Sequence, residues 1–185
     1  MFAKVILLIA DVWAIVCVLR MLLQRGGLSP QHPAMKFCKQ FTDVLIAPFN
    51  RLKRKKANWD FSCLLAAFVV YYLVFLTLIF MALPSAGAAK AIFGASLFSV
   101  ISLSKAVAYA LLIGLVARMA LSISQPYAPI VQALQVIFEP LSKPFVFLRI
   151  GRYDFSGSII AIVLWLWLTA LIPQLMSQLN LWLLQ

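Results

Sequence analysis

The amino-acid sequence predicts an all-α membrane protein with four transmembrane helices, and composition is the first reason. The 185 residues are 64% hydrophobic and only 11% charged, and the mean hydropathy is +1.01. A soluble domain of this length carries far more polar residues on its surface. The apolar residues form continuous runs, which indicate helices, since the strands of a membrane barrel alternate apolar and polar residues.

An internal repeat is the second reason, because it sorts the predicted helices into two equivalent pairs. Eight residues recur, identical or chemically similar, at an offset of 96. They are Pro30, Pro33, Asp43, Leu45, Pro48, Phe49, Leu52 and Lys53 in the first copy, and Pro126, Pro129, Glu139, Leu141, Pro144, Phe145, Leu148 and Arg149 in the second. The repeat predicts two domains, 1–88 and 89–185, each a helical hairpin. With two spans per copy, both hairpins have the same orientation, so this is a parallel duplication.

The third reason is the length of the apolar runs. Spans are predicted at 5–23, 61–83, about 97–117 and 155–172. A bilayer core needs about 20 helical residues, and the second and fourth runs contain no charge at all. Lys4 before the first run resembles the start of a secretory signal. Asp11 interrupts that run, however, and no small-residue cleavage site is evident, so a retained helix is expected.

Basic residues predict the orientation of the hairpins. The loop 24–60 contains eight lysines and arginines and the loop 118–154 contains four, whereas the opposite side has Lys4 and Lys90. The positive-inside rule then places both long loops in the cytoplasm. We therefore expect a protein of the bacterial inner membrane with both termini in the periplasm.

Each long loop is predicted to contain an amphipathic helix in the membrane interface, starting at Pro33 or Pro129. The apolar stripes are Met35, Cys38, Phe41 and Leu45 in the first loop, and Ile130, Val131, Leu134, Ile137, Phe138 and Leu141 in the second. A basic cluster after the first helix is expected to bind anionic lipid headgroups. It consists of Arg51, Lys53, Arg54, Lys55 and Lys56. A further surface helix is expected after Pro173.

Together these features resemble the YggT/YlmG family of membrane proteins. The shared features are the tandem hairpin, an arginine ending the first span, the proline-rich amphipathic loop, and an Asp-x-Ser sequence opening the next span. The residues are Arg20 and Arg118, Asp60-Phe61-Ser62, and Asp154-Phe155-Ser156. Cys63 and Gly157 stand where the family usually has proline. The resemblance implies no agreed biochemical activity. It links the chain to osmotic-stress tolerance, ion handling, division, envelope organisation and, in plastid relatives, haem attachment or nucleoid distribution.

Four charged residues flank the predicted spans on the loop side. Asp60 and Asp154 fit either N-caps of the following helices or sites for ions and headgroups. Arg20 and Arg118 suit helix C-termini and phosphate headgroups. We predict an interfacial ion pair in each hairpin, Arg20 with Asp60 and Arg118 with Asp154. The other two recurring acids, Asp43 and Glu139, are interpreted as solvated loop residues.

Asp11 and Lys105 differ because they lie inside predicted spans. At 1.5 Å per residue, Asp11 is about 13.5 Å from Arg20, and Lys105 is about 19.5 Å from Arg118. Level arginines would leave an axial gap of about 6 Å, which a lysine can bridge. A protonated Asp11 and a Lys105 that extends toward water are the alternatives. The repeat positions hold Tyr109 and Leu7, and we predict that the asymmetric pair joins the two first spans.

The sequence offers little for catalysis or for a cofactor. Cys17, Cys38 and Cys63 lack metal-ligand spacing, and the single histidine, His32, is expected to be a solvated loop residue, so neither zinc nor haem is expected. No phosphate-binding loop or nucleophile with a base is found. The net charge of +11 is attributed to anionic lipid rather than nucleic acid.

We therefore expect a protein that is not an enzyme. Its expected role is membrane-associated assembly, envelope organisation or osmotic-stress adaptation, through contacts with lipid, a membrane-protein partner or a second copy. The alternatives are a small ion-conducting or osmotically gated oligomer, with Asp11 and Lys105 along a polar path, and a haem assembly factor. The missing ligands disfavour the haem role.

Overall fold

The structure, a computed structural model, describes residues 2–46, 61–82, 88–124, 127–143, 149–150, 153–154 and 156–184. Within these residues the chain forms seven α-helices. They are α1 (Phe2–Arg25), α2 (Pro33–Ile46), α3 (Phe61–Ala82), α4 (Ala88–Ser124), α5 (Pro129–Ser142), α6 (Ser156–Leu166) and α7 (Ile172–Leu184). Two short strands, β1 (Arg149–Ile150) and β2 (Tyr153–Asp154), pair antiparallel.

Four helical stretches are long and apolar enough to cross a membrane. They are Phe2–Arg25, Ser62–Ala82, Ala89–Ser122 and Gly157–Leu183. The predicted helical class and the number of candidate spans are confirmed on this basis. The third and fourth stretches extend well beyond their predicted bounds. At 1.5 Å per residue the 37 residues of α4 reach about 55 Å, against a hydrocarbon core of about 30 Å.

The helix expected after Pro173 is present as α7, but it is not separate from the fourth span, because a π-helical turn, Trp167–Leu171, joins α6 to α7. Proline has no N–H, so Pro173 cannot donate the usual bond to the carbonyl of Thr169. The wider turn carries the chain past this gap, and the Ile172 N–H donates to the Trp167 carbonyl instead. The fourth span and the predicted surface helix are therefore one continuous rod.

Small side chains form the middle of the bundle, where α1, α3 and α4 meet. We call this set the middle cluster: Ala10, Ala14, Cys17, Met21, Cys63, Ala66, Ala67, Tyr71 and Ala106. Small residues let membrane helices approach closely, and close packing is the main attraction between helices in lipid. The first spans of the two halves, α1 and α4, therefore lie side by side against α3.

Two further clusters mark the ends of the bundle. The loop-end cluster joins the end of α1 to α2, α4, α5 and α6; its buried members are Leu23, Leu28, Met35, Cys38, Leu115, Ala133, Leu134, Ile137, Phe138 and Ile160. The terminal-end cluster joins α3, α4 and α7 through Ile79, Ala91, Ala95, Phe98 and Leu183. Both loop helices therefore lie at one end and both chain termini at the other.

Two glycines fix how α1 ends and meets the second half. Gly27 has a φ of +75°, and around it the Leu28 N–H donates to the Leu23 carbonyl at 3.2 Å, a Schellman end that glycine favours. At Gly26 an added Cβ would lie 2.5 Å from the carbonyl oxygen of Ala133. The end of α1 is thus held against the backbone of α5.

Pro33 and Pro129 begin α2 and α5, as the sequence predicts. The predicted stripe of α2 is wrong at Phe41, which is 55% exposed, with its ring centroid 4.7 Å from that of Phe37. Thr42 is buried in its place. The helix turns this hydroxyl toward α1 because a buried arginine there needs a polar partner.

Candidate functional site: an intramembrane charge cluster and its cavity

Three helices bring Asp11, Tyr71 and Lys105 together inside the bundle. The Lys105 ammonium donates to Asp11 Oδ2 at 2.6 Å, and the Tyr71 hydroxyl donates to Asp11 Oδ1 at 2.7 Å. We call these residues the charge cluster. The structure thus places Asp11 of α1 beside Lys105 of α4, the two residues paired on sequence depth.

The burial of the cluster explains its chemistry. Side chains of Asp11 and Lys105 are 25% and 29% exposed, while Tyr71 is fully buried. A lone charge at this depth is costly, and a hydrogen-bonded pair of opposite sign offsets part of that cost. Tyr71 occupies the second carboxylate oxygen, so both oxygens of Asp11 have a donor. The cluster is electrically neutral and holds α1, α3 and α4 in one register.

Tyr71 was missed in the sequence because nothing marks it as a partner. It lies in an uncharged span beside Tyr72, and two adjacent tyrosines point to different sides of a helix. Only the position of α3 relative to Asp11 separates them. Depth along α3 and the hydrogen-bonding capacity of the phenol were the available signals.

A cavity of about 550 Å³ lies on the terminal side of the charge cluster. Its walls are mostly apolar and come from α1, α3, α4 and α7, including Leu7, Leu78, Phe98 and Leu183. Four polar residues also line it: Asp11, Ser102, Lys105 and Asn180. The volume is that of an ordinary small-molecule site.

On the loop side of the charge cluster the packing is tight. Ala14, Cys17 and Ala67 are at most 1% exposed, and they belong to the middle cluster that joins α1 to α3. The cavity therefore leads to the charge cluster from the terminal end, and buried small side chains occupy the interface beyond it.

Arg20 contacts α2 at the loop end. It is 4% exposed and donates to Thr42 Oγ1 at 2.5 Å and to Asp43 Oδ1 at 2.6 Å. Its predicted partner, Asp60, lies outside the described residues. Asp43 was interpreted as a solvated acid; it is 56% exposed but forms an ion pair with Arg20. The loop helix α2 folds back along α1, and this fold-back provides the partner.

The second half has a different arrangement. Glu139 is exposed and lies 4.0 Å from Lys143, the residue that follows the last residue of α5, and Arg118 is half-buried. The backbone of Asp154 pairs in register with Arg149, but its side chain is outside the described residues, so the predicted Arg118–Asp154 pair stays a prediction. The basic cluster Arg51, Lys53, Arg54, Lys55 and Lys56 also lies outside them.

The three cysteines are buried, and the histidine is partly buried. His32 is half-buried rather than solvated, and its Nδ1 accepts from the Ala34 N–H at 3.3 Å at the start of α2. Burial raises the pKa of the Cys38 thiol above its usual range, which keeps it neutral. Among the described residues, no three His, Cys, Asp or Glu side chains are grouped as a metal ion requires.

Four apolar helices and an internal charge cluster define a helical membrane protein. The CCB3/YggT family model matches residues 1–81, which contain α1, α2 and all but the last residue of α3. This match confirms the resemblance to YggT proteins over that part of the chain. No curated protein and no solved structure matches the chain.

Proposed function

We propose that this protein is a non-enzymatic scaffold of the bacterial inner membrane that holds lipid and other membrane proteins. Its processes are membrane-associated assembly, envelope organisation or osmotic-stress adaptation, the roles that the family resemblance implies. Two hairpin repeats in the same orientation, 1–88 and 89–185, form the scaffold. Within this scaffold the charge cluster holds α1, α3 and α4 together.

The observation that carries this proposal is the packing around the charge cluster. Asp11 has both carboxylate oxygens engaged, by Lys105 and Tyr71. Buried small residues of the middle cluster lie between it and the loop end. An ion-conducting path needs hydrated polar groups across the whole membrane. A structural contact between helices needs only a hydrogen-bonded ion pair among packed side chains.

The surface of the fourth span supports the binding of a partner. Only 11% of the window within Gly157–Leu183 is buried inside the chain, against 33% for Phe2–Arg25. Lipid or a second membrane protein must cover the remaining apolar surface. We assign this rod as the partner face, which a second copy of the chain would also fit.

Lipid binding is assigned to the first loop. Arg51, Lys53, Arg54, Lys55 and Lys56 would each contribute about 1 kcal/mol near an anionic surface, an attraction that salt weakens. A peptide of residues 33–58 tests this on vesicles. Replacing the five residues by glutamine should reduce binding to anionic vesicles and leave binding to neutral vesicles unchanged. Equal binding by both peptides would contradict the assignment.

The proposed topology has both termini in the periplasm and both loops in the cytoplasm. Reporter fusions at Leu28, Gly87, Ser124 and Gln185 should read cytoplasm, periplasm, cytoplasm and periplasm in turn. Periplasmic activity at Leu28 would overturn this orientation.

Ion flux in proteoliposomes tests the scaffold against transport. We expect the purified protein to give no more flux of K⁺, Na⁺ or H⁺ than protein-free vesicles, with a known ionophore as the positive control. The Asp11→Asn variant, reconstituted in the same way, should have a lower thermal stability than the native protein. This difference in thermal stability shows that the reconstituted native protein is folded.

Transport is the second candidate, and the cavity is the observation that favours it. The cavity brings partly exposed Asp11 and Lys105 within reach of the terminal side. A flux that depends on both residues, and that persists in variants of normal stability, would replace the scaffold by a small ion-conducting oligomer.

A further inference from the structure

The cavity at the terminal end has hydrogen-bonding capacity that the protein does not use. The Lys105 ammonium has three N–H donors, and its one partner among the described residues is Asp11. Ser102 is buried, lines the cavity, and has no hydrogen bond within the described part of the chain. Donors without acceptors remain at the inner end of a space whose other walls are apolar except at Asn180.

The charge balance of this inner end decides what it accepts. Asp11 and Lys105 already neutralise each other, so a carboxylate ligand would leave one uncompensated negative charge in a low-dielectric site. An alkylammonium ligand would find each oxygen of Asp11 already bonded to one donor and would be repelled by the adjacent Lys105 ammonium. A neutral group that only accepts hydrogen bonds has neither cost.

The walls define the rest of the ligand. Leu78, Phe98, Met176 and Leu183 surround the space in front of Lys105, and a cavity of about 550 Å³ is large enough for a hydrocarbon chain to pack against them. The four helices that form it meet at the bundle end that carries both termini. The site therefore fits a hydrocarbon chain with its polar group innermost.

We propose that this cavity binds an uncharged amphiphile, with an ester or amide carbonyl at Lys105 and a hydrocarbon chain between α3, α4 and α7. Because buried small side chains pack closely beyond Lys105, the group on the far side of the carbonyl must be small, as in a free fatty ester or fatty amide. This proposal does not depend on the scaffold function. A scaffold can lack a ligand in this cavity, and a transporter can bind one.

Photolabelling of the full-length purified protein tests the site. The probe is a twelve-carbon methyl ester with a diazirine near the end of its chain, compared with the free acid and the trimethylammonium analogue of the same length. After irradiation, adducts are mapped by mass spectrometry. We expect the ester to label Leu78–Ala82 and Met176–Leu183 at least five-fold more than either charged analogue, and unlabelled ester to compete.

Two tryptophan variants separate the cavity from the lipid-facing surface. Leu78→Trp fills the cavity and should lower labelling at least five-fold. Leu73→Trp places the same side chain on the exposed face of α3 and should retain it. Ala82→Phe, also at the cavity wall, replaces Leu78→Trp if that variant does not fold. Equal labelling in the filled and control variants would overturn the proposal.

A multiple variant tests the polar contact. Asp11→Leu, Lys105→Leu, Tyr71→Phe and Ser102→Ala together remove the donors at the inner end and leave neither an unpaired charge nor a freed tyrosine hydroxyl. It should bind the ester no better than a twelve-carbon alkane with the same diazirine, whereas the native protein should prefer the ester. A retained preference, or stronger labelling by the free acid, would refute the assignment of Lys105. A phosphatidylcholine with the diazirine in its acyl chain should label the cavity weakly, because its headgroup is too large for the packed inner end; labelling equal to that of the free ester would overturn the orientation with the polar group innermost.

Discussion

The two halves of the chain carry an arginine and an acid at two pairs of corresponding positions and use them differently. In the first half Arg20 is buried and forms an ion pair with Asp43. At the matching positions of the second half, Arg118 is half-buried and Glu139 lies exposed beside Lys143. Residue identity at a repeated position therefore does not determine the contact.

One exchange of side chains explains the difference. Thr42, which accepts a hydrogen bond from Arg20, is replaced at the offset of 96 by Phe138. Phe138 is buried in the loop-end cluster, and a Cβ on Gly114 would lie 3.4 Å from its ring. The second loop helix therefore packs an aromatic ring where the first presents a hydroxyl to its arginine.

The charge cluster is the contact between the halves, and disrupting it should have the largest effect. Asp11→Asn and Lys105→Gln should each lower the free energy of unfolding by roughly 2–3 kcal/mol, somewhat less than for a fully buried pair because both side chains are partly exposed. The double variant should lose at least about 1 kcal/mol less than the sum. Thermal unfolding in detergent measures all three.

Tyr109, the repeat counterpart of Asp11, provides the control. It is 38% exposed, and Tyr109→Phe should change stability by less than about 0.5 kcal/mol. Additive losses in the Asp11 and Lys105 cycle would mean that the contact contributes nothing specific to joining the halves.

Helix depth and hydropathy predicted the contact between Asp11 and Lys105, whereas the partner of Arg20 depends on how the loop folds. Counting 1.5 Å per residue from the two arginines brought Asp11 and Lys105 to similar levels, because long helices keep their rise. The partner of Arg20 could not be obtained this way. It comes from α2, whose direction depends on the local turn through Gly27 and on the close contact of Gly26 with Ala133.

The lengths of the last helices show a similar limit. Proline normally ends a helix, so the sequence placed a boundary at Pro173. The chain instead passes it through a π turn whose Trp167 indole donates to Ser104 Oγ at 3.1 Å. Packing against α4 thus keeps the rod continuous, and composition alone carries no record of that contact.

The seam where α1 meets α5 should give the next largest effect. Gly26→Ala would place a Cβ 2.5 Å from the Ala133 carbonyl oxygen, and rigid backbone must shift to admit it. We expect a loss of about 2 kcal/mol, typical of overpacking. Gly157→Ala is the matched control, since its nearest neighbour is the flexible Met119 side chain at 3.5 Å. Equal stability of the two variants would show that the backbone at the contact between Gly26 and Ala133 can move apart at little cost in free energy.

The pair Asp43 and Glu139 tests the difference between the halves directly. Asp43→Asn weakens the partner of a buried arginine and should cost about 1 kcal/mol, a modest value because the aspartate itself is half-exposed. Glu139→Gln removes an exposed pair on one helix and should cost at most about 0.5 kcal/mol. The loss in Asp43→Asn should persist in high salt, because the guanidinium is buried. Equal losses that disappear in salt would make both pairs surface contacts.

The smallest effect concerns a position that both halves bury alike, Cys38 and its counterpart Leu134. Burial raises the pKa of the Cys38 thiol, and only the thiolate reacts with maleimide. Native Cys38 and Leu134→Cys should therefore react with maleimide at least ten-fold more slowly at pH 7.5 than Phe37→Cys on the exposed face, with each site followed by peptide mapping.

The pH dependence of labelling tests the raised pKa of the Cys38 thiol. The labelling rate at Cys38 should still be rising above pH 9, where the rate at Phe37→Cys levels off. Because the folded-state pKa is the higher one, the thiol also makes stability fall as pH rises above the unfolded-state value. Fast labelling at Cys38 but not at Leu134→Cys would show that α2 opens from the bundle while α5 stays closed, a sharper difference between the halves than the static contacts show.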